Sequence, residues 1–467
     1  LMNAVVLGVT LFVVVQLMVG LWASRKPKSE TDFLLAGRQL KPSLAVFTIF
    51  ATWFGAETCI GAASSIYDNG LSGGTADPFG FALCLFLMGF VFAMPLWKRK
   101  FVTFADLFRQ RYSPNIEKLV VLILVPASML WAAAQIRAFG QVLSSLSGLQ
   151  VEITITIAAA VVIIYTMLGG LLAVAVTDVI QASFLILGLL LLGIFVFTSG
   201  DPNASLSTVD AARFSFVSED STLLQKFEAW AIPILGSVLT QELITRVLAC
   251  RSAEEARRST LMGASLYLTI GLIPVYLGLV GLNLMPGLVE SEQLLPQLAK
   301  EYLPTFLYIL FAGALVSAIL STVDSVLLAA SSLISHNIVV PFKKRQQTVS
   351  ERQKVLFARI GIVVLGTIAY YLALHAEGVY ELVVTASAFG SAGVFIVGSF
   401  GLFTQFGGAK AAASALISAA TIWILGEFVF AWATPFFISL LTALGVYVAV
   451  GLVEHSFADD KNKLTSA

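Results

Sequence analysis

The sequence predicts an all-α polytopic membrane protein with about 13 transmembrane helices. Hydrophobic residues make up 58% of the 467 and charged residues only 12%, against about 25% charged in soluble domains. Apolar runs of about 20 residues, enough to cross a bilayer as a helix, recur from end to end. The loops between them alternate between rich and poor in Lys and Arg. An outer-membrane barrel would instead show alternating segments of ~10 residues.

The first run, span 0, covers 4–22. It has no basic leader, and Arg25, Lys26 and Lys28 follow it. It is therefore expected to be a span with a cytoplasmic exit, not a cleaved signal. Span 1 (42–66) and span 2 (78–97) flank the polar stretch "YDNGLSGGTAD". Spans 3 (116–146), 4 (151–168) and 5 (174–198) follow in quick succession, then the longer polar loop "TSGDPNASLSTVDAARFSF". Spans 6 (223–248), 7 (259–285), 8 (303–336), 9 (354–375) and 10 (379–404) come next. Spans 11 (410–427) and 12 (430–453) close the series. No linker long enough to separate soluble domains interrupts them, and the tail after Val453 is too short for a catalytic or signalling module. A single transmembrane domain over 1–467 is expected.

Arg25, Lys26, Lys28, Arg38 and Lys41 precede span 1, and Lys98, Arg99, Lys100, Arg109 and Arg111 follow span 2. Arg251, Arg257 and Arg258 follow span 6, and Lys343, Lys344, Arg345 and Arg352 follow span 8. Basic loops mark the cytoplasmic side. A multi-pass protein of the plasma (inner) membrane is expected, with its N-terminus outside and its C-terminus in the cytoplasm.

Several function classes recede. Net charge is zero and no basic, aromatic-interleaved patch suggests nucleic acid. No GxxxxGK[ST] stretch points to direct use of ATP. Cys59, Cys84 and Cys250 form no CxxC pair and read as small buried hydrophobes. His336, His375 and His455 are scattered, so neither a metal centre nor an intramembrane enzyme is expected.

A charge at mid-bilayer costs roughly 2.5–3.5 kcal/mol on insertion scales, so intramembrane ionisable residues mark functional sites. They are Glu57 in span 1, Arg137 in span 3, Asp178 in span 5, Glu242 and Arg246 in span 6, and Asp324 in span 8. Asp178 and Arg246 fall near the inner end, where hydration is expected. In span 8, Ser321, Thr322, Asp324 and Ser325 crowd into little more than one turn. Hydroxyls and a carboxylate are hard oxygen donors that suit a small alkali cation; packing between helices is the structural alternative. In span 1, Gly55 would ease local unwinding beside Glu57, baring carbonyls as discontinuous transporter helices do, or would allow close packing. Trp53, Phe54, Phe81 and Trp131 suggest an apolar or cation–π wall. Glu57 and Arg137 have opposite charge and are expected to pair.

These stretches resemble the sodium:solute symporter family. "YTMLGGLLAVAVTDVIQ" (Tyr165 to Gln181) is similar to the family's most recognisable segment. "ATWFGAETCIG", "TRVLA" and "SAILSTVDSVLLAASSLI" resemble its helix 1, helix 6 exit and helix 8. The resemblance implies the leucine-transporter-type fold: a 5+5 inverted repeat of helices 1–5 (42–198) and 6–10 (223–404), with helices 1 and 6 broken. The helices of 410–453 would be additions. No internal repeat is visible in the sequence itself.

The resemblance also implies a sodium ion as coupling ion, held between helices 1 and 8 by carbonyls of Ala51, Phe54 and Ala318 and hydroxyls of Ser321 and Thr322. A second sodium site, as in some members, would use Asp178, Ser321, Asp324 and Ser325. Asp324 and "ATW" are nearest the choline-carrier branch. That branch's helix 6 aromatic falls at Thr240, so its aromatic cage is incomplete here. Candidate solute contacts are Trp53, Glu57, Phe81, Trp131, Gln135, Arg137, Gln241, Glu242 and Ser387. The function this implies is sodium-coupled import of a small polar organic solute by alternating access. The alternatives are a proton-coupled carrier of the same fold and a transmembrane sensor domain.

Overall fold

Span 8 is the axis on which the other helices pack. Between Thr305 and Ile334 its only charged residue is Asp324, and such a helix is buried in a bundle or faces lipid all round. Of its most apolar window 78% is buried, against 28% for spans 9 and 12. It packs against spans 3, 5 and 9 and the first half of span 1. The outer helices turn apolar side chains outward, among them Leu187, Leu190 and Ile194 of span 5 and Ile360, Val364 and Ile368 of span 9. That is the surface a bilayer requires.

The structure, a computed structural model, describes residues 7, 8, 10, 11, 14, 15, 18, 19, 22, 29–168, 170–217, 221–344 and 348–465. Among these the regular structure is helical, and the one extended pairing is an isolated bridge between Leu40 and Cys250. Span 0 and Arg345 lie largely or wholly outside the described residues.

Local chemistry sets the ends of the long helices. Ser113 caps Pro114–Ser147, where Pro114 stands at the first helical position. Thr222 and Ser350 form capping boxes with Gln225 and Gln353 at the starts of spans 6 and 9. Ser252 caps Ala253–Leu284.

Eight described helices are long and apolar enough to cross a membrane, and ten if each bent pair is one span. The predicted thirteen is not established by that measure: span 0 lies largely outside the described residues, span 4 forms a shorter apolar helix (Val151–Met167), and span 1 is broken. Span 1 splits into Pro42–Trp53, the π-helical turn Glu57–Ala62 and Ala63–Asn69. Span 6 breaks between Gly236 and Gln241 with a 42° bend, and span 10 breaks between Ala388 and Ser391 with a 41° bend. The bends in spans 1 and 6 agree with expectation; that in span 10 was not anticipated.

Both ends of the bundle are tied. At the end with the basic loops, Asn337 donates to Asp106 (3.0 Å) and Glu117 (2.8 Å) and accepts from Thr103 (2.7 Å). His336 sits between Glu30 (3.0 Å) and Asp106 (3.4 Å). Burial works to raise the Asp106 carboxyl, but His336 and the amides of Thr103 and Val102 hold it below the usual carboxylate range. At the opposite end Glu292 accepts from the Val379 amide (2.7 Å), and Ser64 meets Ser291 (2.7 Å).

Candidate functional site

The break in span 1 places backbone oxygens against span 8. Helix Pro42–Trp53 ends because Phe54 leaves helical geometry (φ −96°, ψ 77°). The last four carbonyls of a helix have no partner within it. Ala51 is among these, and its carbonyl accepts instead from Ser321 Oγ (3.2 Å) and Thr322 Oγ1 (3.1 Å). The same hydroxyls reach the Ala318 carbonyl at 2.8 and 3.3 Å. Gly55 makes the crossing close, since a Cβ there would lie 2.4 Å from Thr322 Oγ1. Ala51, Ala318, Ser321 and Thr322 are thus together and buried. Phe54 follows three residues after Ala51, and its ring stacks on Phe50 (4.8 Å) and meets Tyr267 edge-on (5.4 Å).

One residue before that turn, Trp53 joins Phe81 (5.3 Å) and Trp131 (5.4 Å) in a trio closed by Phe81–Trp131 at 5.7 Å. One helical turn beyond Trp131, Gln135 donates through Nε2 to Glu57 Oε2 (2.5 Å) and accepts the Ala56 amide on Oε1 (3.1 Å). Ala56 lies within the break, so its amide is free for that bond and fixes the Gln135 amide's orientation. Glu57 is 1% exposed. Its other oxygen, Oε1, has no hydrogen-bond partner among the described residues.

The expected Glu57–Arg137 pair does not form. Positions 135 and 137 lie about 200° apart around a helix, so when Gln135 faces Glu57, Arg137 faces away. Its guanidinium donates to the Glu377 carbonyl (3.0 Å). Sequence reasoning also missed Asp77, which accepts from Thr58 (2.8 Å) and Tyr267 (2.7 Å) and is wholly buried beside Glu57. Its Gly-rich surroundings read as a solvated loop, and no local pattern marks it as buried.

A second polar group lies along span 8. Asp178 accepts from Thr48. Ser325 donates to the Ser321 carbonyl (2.6 Å) and lies 3.3 Å from Asp324 Oδ1, while Arg246 Nη2 donates to Ser325 Oγ. Asp178, Asp324 and Arg246 are at most 1% exposed, away from bulk solvent. The Arg246 charge acts on Asp178, Asp324 and Glu242. Asp178 Oδ1, Asp324 Oδ2 and Glu242 Oε2 have no hydrogen-bond partner among the described residues.

Two other expected solute contacts have their polar side-chain atoms committed elsewhere. Gln241 accepts the Phe104 amide (2.7 Å) and donates to Thr245 (3.0 Å). Ser387 donates to the Val383 carbonyl (2.9 Å), and its own carbonyl packs on Gly236.

A family model described as the sodium:solute symporter family matches residues 33–463. The chain belongs to that family. The chain is 29% identical over 392 residues to the high-affinity choline transporter 1 of Drosophila melanogaster, covering 81% of this chain and 63% of that one. It is 28% identical over 405 residues to the transporter of the same name from Torpedo marmorata, covering 81% and 68%. The chain thus spans about two thirds of the length of these relatives. A solved structure of a Na⁺-coupled sialic acid symporter, substrate-bound and outward-open, superposes with a TM-score of 0.79 at 18% identity, over 97% of this chain and 96% of that one. At that identity the likeness establishes a shared fold. The chain, helical throughout its described regular structure, is therefore a multi-pass membrane protein of the leucine-transporter-type fold within that family.

Proposed function

We propose that the chain carries a small polar organic solute across the plasma (inner) membrane by alternating access, driven by a sodium ion. The observation that carries this reading is the convergence of Ala51, Ala318, Ser321 and Thr322 oxygens at the crossing of spans 1 and 8. Oxygens that already hydrogen-bond one another need only hydroxyl rotation to turn their lone pairs on a shared cation. The Phe54 carbonyl, at the same break, would complete the expected set. Trp53 of the aromatic trio and Glu57 of the Glu57–Gln135 pair lie on the same broken segment, so ion and solute would share span 1.

A second sodium ion would be held by Asp178, Ser321, Asp324 and Ser325. The unmatched Asp178 Oδ1 and Asp324 Oδ2 favour a cation there. Arg246 on Ser325 already supplies one positive charge to the group and weakens that attraction. The inverted repeat pairs the broken spans 1 and 6 as equivalent elements of 42–198 and 223–404, with 410–453 as additions. The N-terminus lies outside and the C-terminus inside, and lipid solvates the apolar outer faces.

A thermal-shift screen of the purified protein against small metabolites, in sodium and in potassium, tests the reading. A ligand at about 100 times its Kd stabilises the folded state by about 2.7 kcal/mol. Stabilisation in sodium alone is expected, and its loss in the Ser321→Ala/Thr322→Ala double variant. Ligands that stabilise equally in both salts, with a pH dependence, would transfer the coupling to protons.

A further inference from the structure

We infer that the transported solute is a protonated amine that keeps at least one N–H and carries an oxygen acceptor. This rests on the solute site proposed above and narrows it to a chemical class.

The unmatched atoms around the aromatic trio read as the complement of such a solute. Glu57 Oε1 is a buried acceptor, while Trp53 Nε1 and Trp131 Nε1 are buried donors; none has a partner among the described residues. The three side chains are 1%, 1% and 3% exposed, so bulk water does not reach them readily. A buried polar atom left unmatched costs about 1–3 kcal/mol, more when charged. A solute offering an N–H to Glu57 and an oxygen to the indoles removes that cost; one lacking either does not.

The charge balance favours a cation. Asp77 lies beside Glu57 with its oxygens on Thr58 and Tyr267, so two carboxyl groups share the region. The one basic side chain expected to offset them, Arg137, donates to Glu377 instead. The rings supply the rest, since indole and phenyl faces attract an ammonium within about 6 Å. A quaternary ammonium could use the rings but has no N–H for Glu57. Glu57 Oε1 would then stay desolvated without a hydrogen bond, Oε2 alone being met by Gln135. The distinction between amines with and without N–H is therefore built into these side chains.

Two methylation series test this on the unaltered protein in sodium: glycine, sarcosine, dimethylglycine and betaine; and ethanolamine through its N-methyl derivatives to choline. The twenty amino acids and neutral sugars complete the panel. Sodium-dependent thermal shift or calorimetry is the readout. An N–H amine is expected among the binders, with its quaternary counterpart weaker by about tenfold to a hundredfold. Glu57→Gln, which keeps the shape and loses the charge, is expected to level that difference. A quaternary member binding as tightly as its N–H parent, or sodium-dependent binding by neutral solutes alone, overturns the inference and leaves sodium coupling standing. Absence of sodium dependence for every compound would overturn the sodium reading itself.

Discussion

Thr322 occupies the space that a side chain at position 55 would need. A Cβ on Gly55 would sit 2.4 Å from Thr322 Oγ1 and 3.0 Å from Gln135 Oε1, and neither neighbour is free to retreat. Thr322 is buried in span 8 with its hydroxyl on Ala51 and Ala318, and Gln135 is pinned between Glu57 and Ala56. Gly55→Ala is therefore expected to destabilise the protein by about 1–3 kcal/mol, the usual cost of overpacking. It should also raise the sodium concentration that half-saturates the thermal shift. A variant with unchanged sodium response would show that Thr322 does not face the ion. The hydroxyl cluster around Thr322 was legible in the sequence because polar groups inside an apolar run demand a reason. The partner of Glu57 was not, because opposite charge says nothing of rotation about span 3. Asp77 was hidden by a Gly-rich stretch that resembles an exposed loop.

Helix breaks are the elements from which the site is made. Span 1 frees the Ala51 carbonyl and the Ala56 amide, and each finds a side chain on another span. The Gly55 signal made that break readable. The break in span 10 turns on Gly390, held at φ 64°, a left-handed geometry that suits glycine; one Gly in an apolar run was too weak a sign to predict it. The ties at the basic end have a different origin, in residues distant in sequence brought together only by folding. Asn337 is the hub there, joining the end of span 8 to Thr103, Asp106 and Glu117. Asn337→Ala leaves Glu117 buried without its amide, at about 1–3 kcal/mol, and is expected to loosen that end. Cys250 reports it: the thiol is fully buried, its carbonyl accepts from Trp97, and Leu40 pairs with its strand-like backbone. Its maleimide labelling, followed by peptide mass, should quicken in Asn337→Ala while Cys59 and Cys84 stay slow. Equal rates at Cys250 would show that the hub does not hold the end closed.

Over the whole molecule, the proposed sharing of span 1 would turn two binding events into one. In the proposed reading, the helix that would lend Ala51 to the ion also carries Trp53 and Glu57 toward the solute, so filling either place would favour the same arrangement of the break. A membrane potential of 100 mV is worth about 2.3 kcal/mol per charge. One sodium ion can then sustain about 50-fold accumulation of a solute with no net charge. That work is available only if neither ligand binds well alone. Linkage makes the condition measurable, because the factor by which saturating sodium tightens solute must equal the factor by which saturating solute tightens sodium. Coupling free energies of this kind are about 1–3 kcal/mol, or about 5- to 150-fold. Calorimetry in both orders, on purified protein with the best amine of the panel and potassium as the balancing salt, is expected to return one common factor in that range. The Ser321→Ala/Thr322→Ala variant should reduce it to one, since solute would then meet a span 1 that no ion organises. A factor of one in the unaltered protein would mean that span 1 does not transmit occupancy between the two places, however close the structure sets them.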